Sequence, residues 1–223
     1  MNVYNADIQN VVNRGEIKMN RHIAKFHKVS EDQFVKDVLE NNDITKGSIK
    51  KYLDDYSTEF TNSINTITDE VIERFIRKEI YPNIKLPKRA TIGSAGYDFF
   101  FPFPKYILTY EESIKIPTGI KCEMDIKWVL TEHVRSGMGF KHQITMSNTV
   151  GIIDADYYNN KDNEGHIFVK LVNRSLDHKS IVLKRDEGYC QGVFLMYGLT
   201  IDDNTDGTRI GGLGSTNIPN KNN

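Results

Sequence analysis

The sequence predicts a mainly β protein with an N-terminal helical extension and a polar C-terminal arm, on three observations. From about residue 83 to 200 the chain runs as short alternating or apolar segments separated by turn residues, the texture of a sandwich, barrel or jelly roll. Residues 1–82 are poor in Gly and Pro and repeat apolar residues at helical spacing. Residues 201–223 turn polar and Gly-rich and close on Asn217-Ile-Pro-Asn-Lys-Asn-Asn223, a tail expected to be mobile unless something pins it. At 223 residues and 39% hydrophobic content, the chain can bury a core of ordinary size.

The extension reads as three short amphipathic helices. Ser30-Glu-Asp-Gln33 has the capping-box form and opens a helix whose Phe34, Val35, Val38 and Leu39 share a face. After the Gly47-Ser48 break, Ile49, Tyr52, Leu53 and Tyr56 repeat the pattern. Thr68 stands where it can cap a third helix carrying Val71, Ile72, Phe75 and Ile76, and Tyr81-Pro82 ends it because proline disfavours helix in the residue before it. Such faces need burial against the β core or a neighbour's extension, so a structural role is expected for residues 1–82. In the β part, the predicted strands include Ser113-Ile-Lys-Ile116, Lys127-Trp-Val-Leu130, His166-Ile-Phe-Val-Lys-Leu-Val172, Ser180-Ile-Val-Leu183 and Gly192-Val-Phe-Leu-Met-Tyr197.

Composition narrows the function. A net charge of -1 and a pI near 6.6 argue against a general nucleic-acid binder, so any anionic ligand must be held by local groups. No apolar run approaches the roughly 20 residues of a membrane span, and the first residues lack the basic-then-apolar order of a signal peptide; the expectation is a cytoplasmic protein. Cys122 and Cys190 are then expected reduced and buried. The histidines form no HExxH pattern, and no Gly-x-Ser-x-Gly elbow is present.

Several short motifs can carry chemistry. Gly93-Ser-Ala-Gly96 lets backbone approach a ligand or strand closely, and Asp98 after it either caps a turn or holds water of a Mg2+ shell. Arg135-Ser136-Gly137 joins a guanidinium fork, a hydroxyl and flexible backbone, which suits a polyphosphate but also an ordinary surface turn. In Val150-Gly-Ile-Ile-Asp-Ala-Asp-Tyr-Tyr158, Asp154 and Asp156 share a face if the segment is extended, and one of them can activate water. Gln191 interrupts an apolar strand and can donate to a phosphate. Arg209 with Gly211-Gly-Leu-Gly-Ser-Thr216 has the glycines of a closing flap, without the Lys of a Walker loop.

Taken in order from about Ile84 to Thr216, these motifs resemble the trimeric dUTP diphosphatase (dUTPase) family. The resemblance implies a jelly-roll-like homotrimer with shared active sites, converting dUTP and water to dUMP and pyrophosphate with Mg2+. It implies Asp154 as the base, Asp98 holding the metal through water, and Arg135, Ser136, Gly137, Gln191 and Arg209 on the phosphates. Asn148, Gly151 and Ile153 would read the base through the hairpin backbone, because a donor that meets uracil's carbonyl would be unpaired against cytosine's amino group. Tyr157 would pack on the deoxyribose, and Leu213, Gly214, Ser215 and Thr216 would close over the nucleotide. Leu213 stands where most members carry a stacking aromatic, Asn217 replaces the usual last glycine, and Gly188-Tyr-Cys190 departs from the basic residue and alanine usual before the glutamine. Residues 158–165 form an insertion in place of a tighter turn. Two rivals remain: a dCTP deaminase-like enzyme, which would need a glutamate at the base, and a dUTPase-fold interaction protein binding a protein regulator.

Overall fold

A computed structural model of the chain describes residues 22–40, 48–49, 51–53, 67–209 and 211–212. The fold is mainly β and jelly-roll-like. Its strands are β1 (Ala24–Lys28), β2 (Tyr97–Phe100), β3 (Lys105–Leu108), β4 (Ser113–Pro117), β5 (Ile120–Met124), β6 (Trp128–Val134), β7 (Ile144–Met146), β8 (Gly151–Ile153), β9 (Phe168–Asn173), β10 (Ile181–Lys184) and β11 (Gly188–Met196). They form a four-stranded sheet in the order β2-β11-β6-β8, a three-stranded sheet β4-β9-β7, and the pairs β1-β5 and β10-β3. Every one of these pairings is antiparallel.

The strands alternate between core and solvent. In β3 the pattern is exposed, buried, exposed, buried, so Tyr106 and Leu108 face inward; in β10 Ile181 and Leu183 do the same. The predicted strands around Ser113, Trp128, Phe168, Ile181 and Val193 all form, with ends shifted by a few residues.

Residues 22–40 depart from the helical expectation at one point. Ala24–Lys28 is a strand, β1, paired with β5 from Ala24 opposite Met124 to Lys28 opposite Ile120. Its alternation turns Phe26 inward, where its ring lies 5.4 Å from Tyr97, 5.7 Å from Phe99 and 5.8 Å from Phe194. Helix α1 (Glu31–Leu39) follows, with Ser30 Oγ accepting from Gln33 N at 3.1 Å and Phe34, Val35 and Val38 buried. Only half of the capping box closes: Gln33 Nε2 donates to Asp37, and Ser30 N donates to Glu164 instead.

In the second predicted helix, Ile49 and Leu53 are buried and the Tyr52 ring lies 5.7 Å from Phe75, while Tyr56 lies outside the described residues. Helix α2 (Asp69–Phe75) buries Val71, Ile72 and Phe75. Thr68 caps it with its carbonyl, which accepts from Val71 N and Ile72 N, and not with its side chain. A π-helical turn, Ile76–Ile80, and a 3-10 turn, Tyr81–Asn83, carry the chain past Pro82 to the first β residues.

One hydrophobic cluster joins these layers. It contains Phe34 and Val38 of α1, Ile72 and Phe75 of α2, and Phe99, Phe101, Leu130, Leu171 and Tyr189 of the strands. Fully burying a side chain the size of Phe34 contributes about 1.5–3 kcal/mol, so the extension is part of the core and not an ornament on it. Both cysteines are free and buried, and burial pushes the Cys122 thiol up to about 12.

Candidate active site

The predicted residues gather into two groups on the four-stranded sheet. The first lies across β2, β11 and the end of β6. Antiparallel register sets Asp98 opposite Gln191, and Gln191 opposite His133, so these three share one face. Arg135 follows His133 on the same face by the period of two and serves as the N-cap of α3 (Ser136–His142). Its Nε lies 3.0 Å from Asp98 Oδ1, and its Nη1 donates to Gly188 O at 3.1 Å. The side chain is still 42% exposed, so the fork has donors left for an anion. Ser136 and Gly137 are exposed beside it. Gly96 is needed here because a Cβ would lie 2.5 Å from Gln191 Oε1 and displace that amide from the row.

The second group is built on the hairpin between β7 and β8. Asn148 sits in its turn, where Val150 N donates to Asn148 O and Thr149 takes φ 65°. Gly151 is buried and Ile153 half-buried, opposite Glu132 and Leu130 of β6. After β8 the chain leaves the extended conformation expected for the aspartates and makes a 3-10 turn, Ala155–Tyr157. That turn nevertheless aims both carboxylates at one cation: Arg209 Nη2 is 2.5 Å from Asp154 Oδ2, and Arg209 Nε is 2.8 Å from Asp156 Oδ1. The guanidinium also lies over the Tyr157 ring, 5.6 Å from its centre.

Tyr157 is buried, donates from its hydroxyl to His166 O at 2.8 Å and accepts from Asn163 Nδ2 at 2.8 Å. Burial raises its pKa, so it stays a neutral platform. The arm is therefore pinned at Arg209, and Gly212 N donates to Asp162 Oδ2 at 3.2 Å. Leu213, Gly214, Ser215 and Thr216 lie outside the described residues.

The two groups stand apart. Extending the β6–β8 register, Asp154 falls beside Val129, whereas Arg135 leaves the far end of β6. At about 3.3 Å per residue, they are roughly 20 Å apart along the strand.

Several residues of these groups were not singled out in the sequence. His133 lies in the row with Asp98 and Gln191, and its place two residues before Arg135 was the available signal. Asn160 and Asn163, spaced as Asx-turn residues, organise the insertion: Asn160 Oδ1 accepts from Asp162 N and Asn163 N, and its Nδ2 donates to Tyr157 O at 2.9 Å. Gly165 closes that loop at φ 78°, where a Cβ would lie 2.5 Å from Tyr157 O.

A family model described as dUTPase matches residues 82–202, the span holding both groups except Arg209. The chain belongs to the dUTPase family. The deoxyuridine 5'-triphosphate nucleotidohydrolase of Lactococcus lactis is 38% identical over 135 residues, covering 60% of this chain and 88% of that protein. The protein of the same name from Desulfitobacterium hafniense is 34% identical over 152 residues, covering 65% of this chain and 93% of its own length. Among solved structures, the dUTPase of Streptococcus mutans is 38% identical with a TM-score of 0.47, over 53% of this chain and 89% of that one. A mutant dUTPase from phage phi11 of Staphylococcus aureus, whose structure is described as showing the coordination of a structural Mg(II) ion, is 17% identical with a TM-score of 0.45, over 56% and 92%. Residues 1–81 lie ahead of the family match.

Proposed function

We propose that the chain is a cytoplasmic dUTP diphosphatase, hydrolysing dUTP to dUMP and pyrophosphate. Asp154 takes the proton of a water whose oxygen attacks the α-phosphorus; the bond from that phosphorus to the bridging oxygen breaks, and the electron pair leaves with pyrophosphate. Arg135, Ser136, Gly137 and Gln191 grip the phosphates, while Asn148, Gly151 and Ile153 read the base and Tyr157 offers its ring to the deoxyribose. Arg209 has two places to be. In the structure it is paired with Asp154 and Asp156, and a triphosphate would compete for the same fork. Moving Arg209 to phosphate releases Asp154 as a base when there is something to hydrolyse. The same movement clears the Tyr157 ring for the sugar.

The donor set fits a metal brought by the nucleotide better than a resident one. Among the described residues, no three His, Cys, Asp or Glu side chains group to hold a metal ion. Asp98, a single carboxylate with 16% exposure in the phosphate group, suits an ion that keeps its waters and binds mainly through phosphate oxygens. When bound, Mg2+ would neutralise charge developing on the triphosphate.

The roughly 20 Å between Asp154 and Arg135 supports a shared site, since a base must lie within about 3 Å of the water it activates. A second copy, in a homotrimer, would bring its Asp154 group to this copy's Arg135 group.

The observation that carries the reading is the convergence of Asp154, Arg209 and Tyr157 behind the hairpin. Pyrophosphate release from dUTP, dCTP and UTP with Mg2+, alongside ammonia release from dCTP, tests it. The expected result is turnover of dUTP alone; ammonia from dCTP or no pyrophosphate from dUTP overturns it.

A further inference from the structure

To reject ribose, Tyr157 must do more than stand beside the sugar. A ring that can slide aside makes room for a 2′-hydroxyl, so a steric gate discriminates only as far as its wall is held. Here the wall is held at its far end. The Tyr157 hydroxyl donates to His166 O at 2.8 Å and accepts from Asn163 Nδ2 at 2.8 Å, so both of its roles are taken.

The His166 carbonyl is fixed in turn by its own residue. His166 N donates to Asn163 O at 2.9 Å, and the imidazole is fully buried and bound at both nitrogens. Gly119 N donates to Nε2 at 2.7 Å, so the ring proton sits on Nδ1 and is donated to Asp37 Oδ2 at 2.5 Å. Burial holds the His166 pKa below its usual value, which keeps the ring neutral in that tautomer. Asp37 comes from α1, and Gln33 Nε2 donates to the same carboxylate oxygen at 3.0 Å. The rings of Phe34 and Phe168 lie 6.0 and 4.6 Å from the imidazole. Apolar side chains of similar volume would fill this space without the cost of burying a carboxylate. They would not fix the direction of the His166 carbonyl, and the proposed chemistry gives the pair no other task.

We propose that Asp37 and His166 are positioning residues for the Tyr157 ring, and that the N-terminal extension thereby sets the discrimination of deoxyribose from ribose. The placing of a sugar against Tyr157 rests on the function proposed above; the link from Asp37 to the Tyr157 hydroxyl does not.

The test uses the full-length chain and two readouts. One is kcat/KM for UTP, measured at high enzyme concentration, as a ratio to that for dUTP; the other is the fluorine NMR signal of Tyr157 in fluorotyrosine-labelled protein, identified by its loss in Tyr157→Phe. Asp37→Ala leaves a buried N–H unpaired and should raise the UTP-to-dUTP ratio about tenfold while moving the Tyr157 signal. A loss of folded protein lowers both rates alike and leaves the ratio unmoved. Asp37→Asn keeps an acceptor for Nδ1 and should stay near wild type in both readouts. Where Asp37→Ala does not fold, Asp37→Ser, one bond too short to reach Nδ1, makes the same comparison. In a Tyr157→Phe background Asp37→Ala should add nothing to the ratio, because its effect runs through the missing hydroxyl. A ratio unchanged in Asp37→Ala, a further rise in the double variant, or an unmoved Tyr157 signal overturns the proposal. If the wild type releases no pyrophosphate from dUTP, the function proposed above fails, while the NMR series still decides whether Asp37 positions the ring.

Discussion

In the proposed reaction Asp154 is the base, and the cation it pairs with in the structure is Arg209, the residue proposed to meet phosphate. Its carboxylate and that of Asp156 bracket Arg209, which binds them through Nη2 and Nε, two directions of one planar fork. A lysine keeps the charge but not the fork, so it can satisfy one carboxylate or phosphate at a time. Arg209→Lys is therefore expected to raise KM for dUTP about tenfold with a smaller change in kcat, whereas Asp154→Asn should lower kcat by about 100-fold or more with KM little changed. Steady-state pyrophosphate release separates the two; a kcat effect for Arg209→Lys as large as that of Asp154→Asn would remove Arg209 from the binding role. Asp154 was singled out because an acid and a tyrosine three positions apart stand in an order of motifs that resembles the family. The pairing of Asp156 was not legible, because the segment is a 3-10 turn and the partner arrives from the far end of the chain. His133 was hidden for a related reason, since only the register of β11 against both neighbours puts it beside Gln191.

Among the elements, α1 and the long strands were readable because their causes are local. Ser30, the apolar spacing of Phe34, Val35 and Val38, and strand alternation each act within a few residues. Strand β1 has no such local cause: five residues pair with β5, nearly a hundred positions away, and what makes Phe26 useful is a cluster of rings from β2 and β11. Tertiary pairing decided that element, and composition could not. The polar contacts of the extension were equally illegible, since Glu164 lies in a segment that reads as an unexplained insertion and His166 reads as the start of a strand. If α1 is part of the core, the truncation Phe34→Ala should cost about 3–5 kcal/mol, comparable to a central β-core residue. The Phe34 ring lies 6.3 Å from Phe103 and 6.0 Å from His166, so the cavity would open between the extension and the sheet. Denaturant titration measures it, and a loss below about 1 kcal/mol would show α1 to be peripheral.

At the scale of the whole molecule, Glu132 is the charge the fold holds back. It is 1% exposed on β6, opposite Gly151 and Gly192, with Oε1 unpartnered among the described residues. Burial pushes its pKa from 4.5 up to about 8, so the folded chain keeps the proton over a range in which the unfolded chain releases it. The unfolded state then binds fewer protons, and stability falls as pH rises from about 4.5 to 8. Glu132→Gln should remove that slope and raise the melting temperature at pH 8 by several degrees, given about 2–4 °C per kcal/mol for a chain of this size. Equal melting temperatures for the two proteins at pH 5 and pH 8 would refute it. The separation of the two site groups makes a sharper demand on the assembly. If each active site takes its base from one copy and its phosphate clamp from another, Asp154→Asn and Arg135→Ala are defects in different halves of a site. Unfolded together in equal amounts and refolded, the two inactive proteins should form mixed trimers in which about a quarter of the sites combine an intact Asp154 with an intact Arg135. Activity near a quarter of wild type is the expected outcome, and refolding each variant alone is the control. No recovery in mixtures whose mass is trimeric would mean that one chain brings Asp154 to its own Arg135, which the β6–β8 register opposes.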